Sequence, residues 1–373
     1  MTKNDTALLP DGEGVFTEAA YRAAIAAEVV RLDGAATPTQ VQPSSLDLTL
    51  GPVAYRLRAS FLPGPKRTVE ARMAEGLLMH ELDLTRGAVL ERGCVYLVPL
   101  RERLALPDDI AGFANPKSST GRIDVFTRLI TDQGKAFDDV PAGYAGPLYA
   151  EISPRTFSIV AREGSALNQL RLRRGDARLD DAALAALQAA DPVILGEADI
   201  SNGVALTVNL AGGADDIVGY RAKRHAPLID VDRVGAYDPV EYWDPIIAPK
   251  RRAVTLDPDE FYILASKEAL RIPPDYAAEM APFNPLVGEF RVHYAGFFDP
   301  GFGCAEAGGE GGRGVLEVRS HEVPFVMEDG QIIGRLIYER LMQRPERLYG
   351  QDVGSNYQRQ GLKLSKHFKA WSA

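Results

Sequence analysis

Apolar and polar residues alternate over short runs through most of this chain. CVYLVPLRERLALP, from Cys94 to Pro107, places the two kinds of side chain on opposite faces of an extended strand. Further runs (TVNL, AVTL, FYIL, FRVHY, GVLEV and IIGRLIY) are rich in β-branched and aromatic residues and are bounded by Gly, Pro or Asp. Short strands so spaced predict a mainly β chain, folded as a distorted barrel or jelly roll rather than from βαβ units. Helical periodicity is confined to two Ala-rich segments. One runs from Thr17 to Leu32 with Thr17 as the N-cap, and the other from Asp180 to Ala190.

The pattern is written twice. GCVYLVPLRERLALPDDIAG, from Gly93, matches DEFYILASKEALRIPPDYAA, from Asp259, with Tyr96 against Tyr262 and Pro107 against Pro273, each 166 residues apart. Farther on, Glu151, Gly164 and Leu170 meet Glu317, Gly330 and Leu336 at the same offset of 166. A constant offset across separated blocks marks a tandem duplication. Two domains are expected, residues 1–185 and 186–373, with the Asp180–Ala190 helix at the linker between the copies.

Composition narrows the function. At 373 residues and 46% hydrophobic content the chain suits two buried cores. A net charge of −9 argues against coating nucleic acid, although a small anion could enter a local basic pocket. The sequence shows neither a long apolar run nor a signal-like start, so a cytoplasmic protein with no membrane partner is expected. Its two cysteines, Cys94 and Cys304, are read as buried or incidental thiols.

One stretch breaks the alternation. NPKSSTGRIDV, Asn115 to Val125, gathers Lys117, Ser118, Ser119 and Arg122, whereas the second copy carries NPLVGEFRV at that place. A turn required by the fold would recur in both copies, so these donors point to function. Two hydroxyls, a point-charge Lys and a forked Arg suit phosphate. The P-loop pattern GxxxxGK[ST] is not present.

Several segments then resemble one family in order. QVQPSSLDLTLG (Gln40 to Gly51), KSSTGR, AGYAGPLYAE ending at Glu151, AREGSALNQLRL with Gln169, and YGQDVGSNYQRQG (Tyr349 to Gly361) are similar to motifs of the dCTP deaminases. That family shares a β-rich trimeric fold with the dUTPases. The resemblance implies two tandem dUTPase-like β domains and hydrolytic deamination of dCTP to dUTP and ammonia, which feeds thymidylate synthesis. It also implies Mg2+ carried on the substrate triphosphate, dTTP as an inhibitor and a homo-oligomeric assembly. A zinc deaminase would need a His or Cys beside a Cys-x-x-Cys pair. Two isolated Cys and five scattered His do not supply one, so no metal ligands are assigned. The resemblance further implies a Glu as the base, with Ser118 and Arg122 at the attacking water and Lys117 and Ser119 on phosphate. Tyr349, Tyr357 and Gln360 are read as a C-terminal lid.

Two departures leave the base open. The family's Asp-Pro-Gly hairpin is degenerate in the first copy, DDVPAGYAG, where Asp139 is the nearest substitute for the base-reading Asp. In the second copy it is intact as Asp299, Pro300 and Gly301, but CAEAGGEGGRG separates it from Glu317. One arrangement uses Glu151 across a symmetry axis between chains. The other is a site shared between copies, with Asp299 and Glu317 facing the first copy's KSSTGR. The uninterrupted hairpin tips the choice toward Glu151. Competing functions are a dUTP diphosphatase, a bifunctional deaminase continuing to dUMP, and a non-catalytic nucleotide-binding regulator. Asp47 is read as a structural hydrogen-bonder, and His293 and His321 as sheet residues.

Overall fold

The computed structural model describes residues 9–212, 216–281, 290–292, 296–320, 322–351, 357–358 and 360–371. His293, His321 and the NPLVGE stretch lie outside the described residues.

The fold is mainly β, and its strands repeat as the sequence does. Ala166–Arg174 and Ile332–Arg340 coincide at the 166-residue offset, as do the central parts of Val95–Ala105 and Tyr262–Leu270 and of Ala145–Pro154 and Gly312–Ser320. In the first copy, Ala166–Arg174 pairs antiparallel with Ile110–Pro116 on one side and with Leu46–Thr49 on the other. A second sheet runs Leu78–Asp83, Val53–Leu57, Val95–Ala105, Ala145–Pro154, Val125–Thr131. The second copy repeats this as Trp243–Ile247, Ile217–Ala222, Tyr262–Leu270, Gly312–Ser320, Phe290–Val292.

The expected Thr17–Leu32 helix is shorter than its Ala pattern suggests. It spans Glu18–Ala26, Thr17 occupies the N-cap without a side-chain capping bond, and Val30–Leu32 is a strand. Glu28, at φ 55°, turns the chain, after which the β-branched pair Val29–Val30 leads into pairing with Val95–Ala105. Asp180 does cap the second helix, Asp181–Ala190, by accepting from Ala183 N. Leu184 of that helix packs into the apolar cluster of the second copy. No helix among the described residues is long and apolar enough to cross a membrane. Both cysteines are free, with Cys304 buried and Cys94 half-buried.

What differs between the copies is the cover on one sheet face. On Ala145–Pro154, Leu148, Ala150 and Ile152 enter the main core, which turns Tyr149 and Glu151 the other way. There they meet the connecting segment 58–77, whose Phe61, Val69 and Leu77 pack with Leu97, Ile130 and Tyr149. On Gly312–Ser320, Leu316 and Val318 enter the second core, while Val315 and Glu317 face the first copy. Phe261, Ile263 and Val315 there join the first copy's cluster together with Leu364 and Phe368 of the C-terminal tail. Each fully buried side chain of this kind contributes roughly 1.5–3 kcal/mol. Both covers are therefore integral parts of the fold.

Candidate active site

The site lies where that second-copy face meets the first. Ile110–Pro116 ends at Pro116, and Ser118–Gly121 forms one helical turn after it, with Thr120 N and Gly121 N donating to Lys117 O. This turn places Lys117, Ser118 and Ser119 on a cavity of about 340 Å3, large enough for a small ligand. Sheet register brings Asp47, Gln169 and Asn115 into one row across three strands beside it. Asp47 and Gln169 line the cavity, and Asp47 forms an ion pair with Lys117.

The opposite wall belongs to the second copy and holds Asp299 and Glu317. Glu317 is 4% exposed, and its Oε1 stands 3.8 Å from Arg122 Nε. That Nε has no hydrogen-bond partner among the described residues. Burial pushes the Glu317 carboxyl up to about 8, against the opposing pull of Arg122. The pair is thus close enough to interact and too far apart to be hydrogen-bonded. A water or substrate group can bridge such a gap.

Two further contacts between the copies frame this pair. Two residues beyond Arg122, Asp124 is fully buried at φ 55° and forms an ion pair with Arg319, two residues beyond Glu317. Arg319 Nη2 also donates to Thr156 Oγ1 at 2.8 Å. On the far side, Arg171 reaches from the first copy into the second copy's hairpin, donating to Ala278 O at 3.0 Å and lying 4.0 Å over the Phe297 ring. It also donates to Ser44 Oγ at 3.1 Å, and Ser44 Oγ donates to Asp299 at 2.5 Å. Burial raises the Asp299 pKa while Arg171 pulls it down.

The C-terminal segment closes the cavity. Arg122 donates to Gln360 Oε1 at 2.9 Å and to Lys363 O at 3.2 Å, and its guanidinium lies 3.9 Å from the Tyr357 ring centroid. Gln360 in turn donates to Arg313 O at 2.8 Å. Gln358 holds the hairpin, donating to Gly301 O at 2.9 Å and to Ala307 O at 3.1 Å. Tyr349 lines the cavity beside Phe302. Farther along, Ser365 Oγ lies 2.8 Å from Ser119 O, and His367 Nε2 lies 2.9 Å from Val231 O.

Of the residues singled out in the sequence, Lys117, Ser118, Ser119, Arg122, Gln169, Asp299, Glu317, Tyr349, Tyr357 and Gln360 share this one cavity. Glu151 and Asp139 do not. Glu151 Oε1 accepts from Ser60 Oγ at 3.0 Å in the connecting segment 58–77, and burial raises its pKa. Asp139 is exposed on the short strand Asp139–Val140. The cavity thus takes in Glu317 and leaves out Glu151, whose face is covered by residues 58–77 of its own copy rather than by a Ser-containing motif. Residues of the cavity or its wall that the sequence did not single out include Ser44, Arg171, Gln358 and Lys366. Ser44 lay inside the quoted QPSS motif, whereas nothing in RLRR marks Arg171 as reaching into the other copy.

Comparison with known proteins agrees over nearly the whole chain. The family described as the 2'-deoxycytidine 5'-triphosphate deaminase (DCD) N-terminal domain matches residues 12–176, and that described as the DCD C-terminal domain matches residues 180–368. A "dCTP deaminase, dUMP-forming" from Beutenbergia cavernae is 31% identical over 155 residues, 38% of this chain and 74% of that protein. One of the same description from Halobacterium salinarum is 29% identical over 142 residues, 37% of this chain and 67% of that protein. The crystal structure of 2'-deoxycytidine 5'-triphosphate deaminase from Agrobacterium tumefaciens is 53% identical, with a TM-score of 0.86, covering 89% of this chain and 100% of that one.

Proposed function

The chain belongs to the 2'-deoxycytidine 5'-triphosphate deaminase family, and we propose that its inter-copy cavity hydrolyses dCTP to dUTP and ammonia with Glu317 as the general base. The observation that carries this assignment is the facing of a buried, hydrogen-bond-poor carboxylate and the first copy's Ser118 and Arg122 across one cavity.

In this reading a water held by Ser118 and Arg122 adds to C4 of cytosine. Glu317 takes a proton from the water as the new C–O bond forms and delivers it to N3, which makes a tetrahedral intermediate. The remaining hydroxyl proton passes through the same carboxylate to the exocyclic amine, the C4–N bond breaks, and ammonia departs. The water is activated by a carboxylate, in contrast to zinc deaminases, whose ligands are His or Cys. Lys117 and Ser119 hold phosphate oxygens, and Mg2+ enters as part of the substrate. Asp299, fixed by Ser44 and Arg171, borders the base-reading hairpin. Closure by Tyr357 and Gln360 excludes bulk water.

The carboxyl must be ionised to accept the proton. With Glu317 pushed up to about 8, most of it is protonated at neutral pH. We therefore expect kcat/KM for dCTP to rise about tenfold per pH unit between pH 6 and 7 and to level off above about 8. A pH–rate profile already flat from pH 6 upward would remove Glu317 from the role of base in the free protein.

Both curated relatives are named dUMP-forming, which favours a second reading in which dUTP is further hydrolysed to dUMP. Incubation with dCTP and Mg2+, followed by chromatography and an ammonia assay, distinguishes the outcomes. Equal dUTP and ammonia supports deamination alone. Accumulation of dUMP and pyrophosphate supports the bifunctional reading, and ammonia at background overturns both.

A further inference from the structure

We infer that Asp124 and Arg319 are positioning residues for the reaction: their buried ion pair sets the register of the second copy's glutamate strand against the first copy's turn, and so fixes where Glu317 stands relative to Arg122. The inference deepens the dCTP reading and rests on it for the role of Glu317.

Arg122 and Glu317 do not fix their own spacing. Arg122 Nε and Glu317 Oε1 are 3.8 Å apart, beyond hydrogen-bond reach. The guanidinium hydrogen bonds of Arg122 run to the tail, at Gln360 and Lys363. Two residues beyond each partner, however, the two copies are tied directly. Arg319 Nε donates to Asp124 Oδ2 at 3.2 Å and Nη2 to Thr156 Oγ1 at 2.8 Å, both in the first copy, while Nη1 donates to Asp259 O at 2.9 Å in its own copy. Asp124 is held through its backbone, its N donating to Gly121 O at 2.8 Å and its O accepting from Arg155 N at 2.9 Å. The Asp124 side chain is 0% exposed and that of Arg319 13%. Sliding one copy past the other would strand a buried charge on each side, which is strongly unfavourable.

Charge order turns this tie into a key. Glu317 and Arg319 lie two apart on Gly312–Ser320, hence on one face of the strand. They present negative then positive to Arg122 and Asp124, which present positive then negative. The smallest slip that keeps the strand's faces is two residues. In one direction it sets Glu317 against Asp124, and in the other Arg319 against Arg122, so both slips join like charges. The key also tells the two glutamate strands apart. At the place equivalent to Arg319, 166 residues earlier, the first copy carries Ser153. Beside Glu151, therefore, no cation is available to meet Asp124.

The test uses Asp124→Asn, Arg319→Gln, the double variant and Arg319→Lys. The double variant leaves no unpaired buried charge, so it reports on the key even where a single variant fails to fold. Ammonia release from dCTP is expected to show kcat lowered about ten- to a hundredfold in Arg319→Gln and in the double variant, the cost of a misplacement of about 1 Å, with KM unchanged. Losses in the two single variants should not add in the double, and Arg319→Lys, which keeps the charge, should recover part of kcat. The alkaline-rising limb of the pH–rate profile should move to higher pH, because the charged side chain that draws Glu317 toward ionisation is Arg122, and it would stand farther away. A crystal structure of the double variant reads the Arg122–Glu317 separation without any turnover. Unmodified kcat in the double variant overturns the inference, as does a separation still at 3.8 Å, or a fall in kcat with the pH limb unmoved, which would mark the pair as serving stability alone. Absence of ammonia release by the unmodified protein, with the separation still dependent on the pair, would instead overturn the deamination reading and leave the key standing.

Discussion

Glu317→Gln is expected to lower kcat for dCTP deamination about 10²–10⁴-fold, the range for losing a positioned general base. Glu151→Gln should leave kcat near that of the unmodified protein. The two carboxylates sit 166 residues apart at equivalent places and are each 4% exposed. Their surroundings separate them. Glu317 faces Arg122 at 3.8 Å across the cavity, whereas Glu151 accepts from Ser60 beneath Phe61 and Val69. Gln is close in shape to Glu and avoids burying a charge, and burial already favours the neutral form at both places. Neither variant should unfold the protein, so melting temperatures within a few degrees of the unmodified value are the control. The measurement is single-site kinetics by ammonia release. Loss in Glu151→Gln with retention in Glu317→Gln would place the working site on the other copy and end the shared-cavity assignment.

The sequence tipped toward Glu151, whereas the cavity holds Glu317. Strand positions, the duplication and the donor-rich turn were legible because they depend on local alternation and on a constant offset. GVLEV, AVTL and IIGRLIY all fall in observed strands. The choice of base depended instead on what covers each sheet face, a contact between segments far apart in the chain. Nothing in RASFLPGPKRTVEARMAEGL announces that Phe61 and Val69 will seal the face around Glu151. Likewise, the insertion between Asp299 and Glu317 looked disruptive in sequence. In space it folds away: Cys304 N, Ala307 N and Gly309 N are bonded within short turns, and Gln358 of the tail holds the loop. The overlong helix expectation has a similar cause, since pairing with Val95–Ala105 captured the β-branched end of an Ala-rich run. Arg171 and the Asp124–Arg319 pair were illegible for the same reason. Their partners lie in the other copy.

Replacing Arg122 by Met is expected to lower kcat/KM for dCTP at pH 7 about 10²–10³-fold, as for loss of a preorganised donor, and to return part of that loss as pH rises. Two consequences combine. Arg122 is the group that draws the Glu317 carboxyl back toward ionisation, so without it the pKa moves above about 8 and a smaller fraction of base is present at neutral pH. Arg122 also joins the tail to the site through Gln360 Oε1, Lys363 O and the Tyr357 ring. Its removal should therefore raise KM as well. Alkaline recovery belongs only to the first effect, because raising pH restores ionised Glu317 but cannot restore tail contacts. Arg122→Lys separates the two further: it keeps a positive charge near Glu317 but lacks the fork that spans two acceptors. It should hold the pH profile near that of the unmodified protein while KM rises. A loss in Arg122→Met that is the same at every pH would show that the guanidinium serves only to dock the tail, and the base would then owe its ionisation to another group.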